Sequence, residues 1–252
     1  MKWDYVDTHC HVEQEEFAED RDWVINRALD SGIAMITSAI RPGNWDTALH
    51  LSESYDGVFV SIGLDPTCFE LYDAALDFIR EHHAQIVGVG EVGLDHYIVR
   101  DHERRELQEH VFQEFIRLAK DLKKPIQVHS RSAGKKALDV LEDVGASRVH
   151  MHAFDARASY AKRASEELGY YFSIPTSVAR SRQKQKLVKA VDIEHLLLET
   201  DSPVLGPEKG ERNEPGNISI ALQEVSRILQ EDEEDLRQTI LDNTLRLYKG
   251  LR

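Results

Sequence analysis

The chain has 252 residues, with 31 Lys+Arg against 45 Asp+Glu and a formal net charge of −14. At 41% hydrophobic and 30% charged residues it is too apolar to be disordered, and its acidic balance excludes a protein that coats nucleic acid by charge alone. No run approaches the ~18 consecutive apolar residues of a membrane span, the residues after Met1 predict no secretory leader, and only two cysteines, Cys10 and Cys68, point to a reducing cytoplasm rather than a disulfide framework.

Along the chain, short β-rich runs alternate with longer amphipathic ones. Strands are expected at Tyr5–Asp7, Ala34–Ala39, Val58–Ile62, Ile86–Val89, Ile126–Val128, Arg148–Met151, Tyr170–Ile174 and His195–Leu198. Between them lie helical patterns; in Glu103–Leu122 the residues Leu107, Val111, Phe112, Phe115 and Leu118 recur at a spacing of three to four. Gly32, Gly57, Gly145 and Gly169 stand where a helix should stop before the next strand. Eight strands, each followed by a helix, predict parallel βαβ units, and about 250 residues is the usual size of a (β/α)₈ barrel. An open doubly wound sheet is the alternative, but no Gly-rich phosphate loop follows the first strand. The expected fold is α/β, a single TIM barrel spanning residues 1–252.

The first strand leads into His9-Cys10-His11. Residues i and i+2 of a strand share a face, so His9 and His11 project together and Cys10 packs on the other side. Glu91 follows Val87-Gly88-Val89-Gly90, where a carboxylate is hard to justify as packing. Glycines beside it allow a ligand or a neighbouring backbone to come close. The fifth strand ends in His129, the sixth in His150-Met151-His152 and the eighth in Glu199-Thr200-Asp201. His152 is the loop-side candidate, and His150 is left to an outer or core role. All these residues fall at the C-terminal ends of apolar strands, where barrel active sites assemble.

Four His, one Glu and one Asp exceed the needs of one tetrahedral ion. They suit two divalent cations (Zn, Mg or Mn) ~3.5–4 Å apart. Glu91, from a middle strand, is the natural bridge; His9, His11 and Asp201 complete one position, and His129 and His152 the other. Two such cations lower the pKa of the water between them until hydroxide forms near neutrality, with Asp201 accepting or orienting its proton. Nearby, Arg131 and Arg212 offer guanidinium forks suited to phosphate oxygens. The basic cluster Arg180–Lys186 could hold a polyanion backbone or form a solvated helix face.

The segments Asp7-Thr8-His9-Cys10-His11, Gly90-Glu91-Val92-Gly93-Leu94-Asp95, Val128-His129-Ser130-Arg131, His152-Ala153-Phe154, Glu199-Thr200-Asp201-Ser202-Pro203 and Arg212-Asn213-Glu214-Pro215 resemble the TatD-like metal-dependent hydrolases in order and spacing. The stretches around His129, His152 and Ser202–Lys209 are similar to the subfamily that includes the third human TatD-domain protein. This resemblance implies a (β/α)₈ fold, two divalent metals held by the six residues above, and phosphodiester hydrolysis, commonly 3′→5′ exonuclease action on DNA. Two segments depart from the pattern. Asp65, in Gly63-Leu64-Asp65-Pro66, stands where many members have a histidine, and Ala153 and Asp155 alter the turn after the sixth strand. Asp65 and His96 are further candidate substrate contacts.

The expected activity is that of a deoxyribonuclease-type phosphodiesterase; the alternative is hydrolysis of a carbonyl substrate such as an amide, a lactone or a cyclic C–N bond. The expected partner is DNA or a small phosphodiester, bound weakly and focally, with no membrane and no obligate protein partner.

Overall fold

The structure, a computed structural model, describes residues 3–251. Strands β1 (Tyr5–Cys10), β2 (Ile33–Ala39), β3 (Val58–Ile62), β4 (Gly88–Gly93), β5 (Ile126–His129), β6 (Val149–Met151), β7 (Tyr171–Pro175) and β8 (Leu196–Glu199) form one parallel sheet in sequence order. Helices α1 (Arg21–Asp30), α2 (Pro42–Ser54), α3 (Tyr72–Glu81), α4 (His102–Asp121), α5 (Gly134–Val144), α6 (Ala158–Leu168) and α7 (Arg182–Val188) each follow a strand, and α8 (Ile218–Leu229) and α9 (Glu233–Leu247) follow β8. The sheet curls until β8 meets β1. There Thr8 Oγ1 donates to Leu198 O at 2.7 Å, and Asp201 N donates to His9 O at 2.9 Å. The expected TIM barrel is the observed fold.

Local chemistry explains the element ends. Asp101 accepts from Arg104 N at 3.0 Å and so caps α4, which buries Val111, Phe112, Phe115 and Leu118 as the spacing requires. Leu107, expected in the same stripe, is instead exposed. Gly145 and Gly169 close α5 and α6 in the left-handed region. The main core lies between sheet and helices, with a second cluster of Val6, Ala34, Ile36, Val87, Leu197 and Tyr248 at the N-terminal end of the barrel.

Two strands run further than their apolar stretches suggest. β1 continues through His9 to Cys10, and β4 extends to Gly93, so Glu91 lies within the strand rather than after it. Hydrophobicity stops at Val89, but backbone pairing with β5 continues through Val92 and Gly93. The glycines there serve the neighbouring strand, not a ligand. Gly90 and Gly93 have φ of 137° and 144°, and a Cβ on them would come within 2.5 Å of Gln127 O and 2.1 Å of His129 O.

Candidate metal centre

The C-terminal ends of the strands bring all six sequence-picked donors to one place. His9 and His11 place their Nε2 atoms 3.2 Å apart, with Asp201 Oδ1 at 3.6 and 3.4 Å. Across from them, His129 Nδ1 lies 2.6 Å and His152 Nε2 3.5 Å from Glu91 Oε1. The second oxygen of Glu91 faces the first group, at 3.4 Å from His9 Nε2 and 3.7 Å from His11 Nε2. The donor atoms of His9, His11 and Asp201 all lie within 4.8 Å of one another, and those of Glu91, His129 and His152 do likewise. Imidazole and carboxylate donors in such sets suit divalent cations.

Each histidine has its other nitrogen occupied. His9 Nδ1 faces Gln127 Oε1 at 3.2 Å, and His11 Nδ1 donates to Ser38 O at 2.8 Å. His129 Nε2 donates to Asp95 Oδ2 at 3.1 Å, and His152 Nδ1 to Glu199 Oε2 at 2.9 Å. Bonds of this kind fix which nitrogen presents its lone pair. His9, His152 and Glu199 form a third close grouping. Glu199, however, already accepts from His152, Ser173 Oγ and Ala153 N, so its oxygens are committed to holding the ring.

Charge follows this packing. Burial would raise the Glu91 carboxyl, but the His152, His129 and His9 imidazoles outweigh it and hold it well below the usual range. Burial likewise opposes the charged forms of His11 and His129, yet neighbouring carboxylates lift both to about 10. His150, buried, stays neutral, its pKa lowered to about 3.

Backbone conformation at the site is unusual where it is most tightly held. Asp201 has φ of 54° and Ala153 of 36°. Asp201 N is tied to His9 O at 2.9 Å, and Ala153 N to Glu199 Oε1 at 2.9 Å.

The donors sit at the base of a cavity of about 350 Å³ whose walls include Ile40, Asp65, Pro66, Thr67, Asp95, Ile98 and Val204. Among the expected substrate contacts, Asp65 lines it, with Oδ1 accepting from Thr67 N and Oγ1 at 2.8 and 2.6 Å. Arg131 is exposed and does not line the cavity; its guanidinium lies 3.9 Å above the Tyr97 ring. Arg212 stands elsewhere. Its fork is spent on the Asp20 carboxylate at 2.8 and 2.5 Å and on Glu16 O, which clamps two loops together. His96 is half-buried and does not line the cavity.

The basic cluster divides too. Lys184 is buried and donates to Ala153 O and Phe154 O at 2.6 and 2.9 Å, so it is neither a polyanion contact nor part of a solvated face.

Sequence reasoning missed the residues that orient the donors. Asp7 accepts from Thr200 N at 2.9 Å and from Thr200 Oγ1, and burial raises its carboxyl to about 8. Asp95 and Glu199 hold His129 and His152. A signal existed for one of them: Asp7 stands two residues before His9 in β1, so it shares a strand face with a donor.

Fold and relatives together define a metal-dependent hydrolase built on a (β/α)₈ barrel. The family model for TatD related DNase matches residues 6–249, and the chain belongs to that family. It is 38% identical to human deoxyribonuclease TATDN3, covering 98% of this chain and 95% of that protein. It is 34% identical to a metal-dependent hydrolase of Methanocaldococcus jannaschii, covering 97% of each. The crystal structure of YjjV, the TatD homolog of Escherichia coli, superposes with a TM-score of 0.89 at 27% identity over 99% of both chains.

Proposed function

We propose that this chain hydrolyses phosphodiester bonds at DNA ends, as a 3′→5′ exonuclease, using two divalent cations. His9, His11 and Asp201 would hold one cation and His129 and His152 the other, with Glu91 placed between the two sets. The observation that carries this is the placement of Glu91: its two oxygens face two separate sets of donors, at 3.4 Å from His9 and 2.6 Å from His129. When bound, such cations supply Lewis acidity toward a phosphoryl oxygen and acidify water.

The chain's own groups do the rest. Asp201, which borders the same cavity, would accept a proton from the attacking water. Arg131, preorganised by stacking on Tyr97, presents its planar fork to a non-bridging phosphate oxygen. The cavity of about 350 Å³ falls within the size range of small-ligand sites. With Arg131 as the one cation of this reading at the mouth of an acidic body, binding is weak and focal. The free Cys10 and Cys68 fit a reducing cytoplasm. No helix among the described residues is long and apolar enough to cross a membrane. We read residues 1–252 as one such hydrolase domain without an obligate protein partner.

A second reading, hydrolysis of a carbonyl substrate, is favoured by the acidic Asp65 and the apolar Ile40, Pro66, Ile98 and Val204 around the same cavity. The test is a turnover screen of metal-reconstituted protein on DNA ends, small phosphodiesters and lactones. DNA degradation should vanish with chelator, return with Mn²⁺, Mg²⁺ or Zn²⁺, and be lost in His9→Ala and Asp201→Asn. Undiminished degradation by either variant would sink the assignment.

A further inference from the structure

Two apolar side chains stand half in water at the cavity, on firmly held backbone. Six large apolar residues among those described are about half exposed, and single ones scattered over a surface call for no explanation. Ile98 and Val204 are set apart by their place. They alone of the six line the cavity that holds the donor atoms, and each is 55% exposed. Ile98 lies in the loop after β4 and Val204 in the loop after β8. In a closed barrel of eight strands in sequence order, these strands are half a turn apart, so the two side chains reach the cavity from opposite sides.

Both loops are tied back to the donor cluster. Ile98 N donates to Asp95 Oδ1 at 2.8 Å, and the other oxygen of Asp95 meets His129. Arg105 of α4 fixes the same loop by donating to His96 O and Val99 O at 2.9 and 2.7 Å. On the far side, Val204 N donates to Asp201 O at 2.9 Å, and Val204 O accepts from Asn213 Nδ2 at 3.0 Å. Each apolar side chain thus stands three residues beyond an acid of the site, and a short hydrogen-bonded turn sets its distance from the donors.

An apolar pair fixed over a floor of metal-ligand side chains fits a ligand whose apolar part lies at a set distance from a group bound at that floor. We infer that Ile98 and Val204 form a base clamp: with the scissile phosphodiester at the donor cluster, they close on the two faces of the terminal nucleobase. A nucleobase has this chemistry, because its faces are apolar while its hydrogen-bonding groups lie along its edge. Removal of these faces and of the two side chains from water supplies the affinity. Aliphatic walls offer no hydrogen bond to the edge, so the clamp reads the presence of a base and not its identity. Ile98 and Val204 are specificity contacts, and no proton moves through them.

This inference rests on the phosphodiester reading, and the substrates separate the two. Single strands of one sequence end at the 3′ side either in an ordinary nucleotide or in an abasic tetrahydrofuran residue, and removal of that last residue by Mn²⁺-loaded protein is timed. Wild type should remove the base-bearing residue at least about tenfold more efficiently, in kcat/KM, than the abasic one. Exchange of the terminal base among the four should change this by less than about threefold. Ile98→Ala and Val204→Ala should each cost about three- to tenfold on the base-bearing strand, mostly through KM. On the abasic strand neither variant should differ from wild type, and Ile98→Leu should restore most of the loss. A side chain that serves packing alone would slow both strands alike.

Equal efficiency of wild type on the two strands, or equal losses on both in the variants, would overturn the clamp and leave the DNA reading in place. A strong preference for one of the four bases would overturn it too. Wild type that removes neither terminal residue would take away the DNA reading and the clamp together.

Discussion

At the scale of single residues, the groups behind the donors matter nearly as much as the donors. Asp95 Oδ1 is pinned by the N–H groups of Tyr97 and Ile98 at 2.9 and 2.8 Å, which aims Oδ2 at His129. Asp95→Asn should therefore weaken metal uptake by about 10- to 100-fold while the protein stays folded, as calorimetric titration would reveal. Glu199→Gln should do the same through His152, since the NH2 of a carboxamide must face either Ala153 N or the His152 and Ser173 donors, all of which need an acceptor. Arg131 is the proposed substrate contact. For a phosphodiester, Arg131→Ala should cost on the order of 2 kcal/mol in kcat/KM, the worth of a charge-assisted hydrogen bond. A neutral lactone would be turned over as before. Kinetics on both substrates with this one variant decide between phosphoryl and carbonyl chemistry.

Elements set these residues at their distances. β4 passes so close to β5 that Gly93 at φ 144° leaves no room for a methyl group, a Cβ there falling 2.1 Å from His129 O. Gly93→Ala should thus displace β5 and with it His129, destabilising the protein by about 3 kcal/mol in urea melts. The turn after β6 is held in a different way. Lys184, from α7, ties down Ala153 O and Phe154 O, with Ala153 at φ 36°. Lys184→Met keeps the length of the side chain but leaves two carbonyls without their donor, a cost of about 1–3 kcal/mol. The same change should loosen His152 and lower metal affinity, which an exposed lysine on a solvated helix face would not do. Arg212 shows the converse: read from sequence as a phosphate contact, it fastens the loop after β8 to the loop after β1 through Asp20. A guanidinium fork matches a carboxylate as well as a phosphate, and nothing in the local sequence reveals which it meets.

For the whole molecule, the charge of −14 sets the terms of binding. In the two-cation reading, metal charge offsets the carboxylates of the donor cluster and leaves a small cationic site in an anionic body. Association with single-stranded DNA should then show a log–log salt slope no steeper than about −2, the value for two or three phosphate contacts. A steeper slope, measured by titration across salt concentrations, would mean an extended basic track that the fold does not present. In the same reading, metal would tie together strands from both halves of the barrel. Removing it with chelator should cost about 3 kcal/mol relative to a hundredfold excess of ion over its dissociation constant. For a domain of this size, that lowers the thermal midpoint by about 5–10 °C.

Much of this was legible in the chain itself. Apolar runs at strand and helix spacing gave the eightfold alternation, because burial of a repeating unit leaves a repeating pattern. The six candidate donors could be picked out because polar residues at the ends of apolar strands are hard to justify as packing alone. Tertiary structure decided what lies around them. Asp95 and Glu199 could be recognised as ring holders only when strands far apart in sequence became neighbours. Gln127, His150 and Tyr248 form a chain only because β5, β6 and the turn after α9 converge inside the barrel. Arg212 and Lys184 found backbone and carboxylate partners that no spacing rule connects to them. Local pattern records what each residue must hide or expose; the identity of a hydrogen-bond partner is a property of the closed barrel, and it is settled when β8 meets β1.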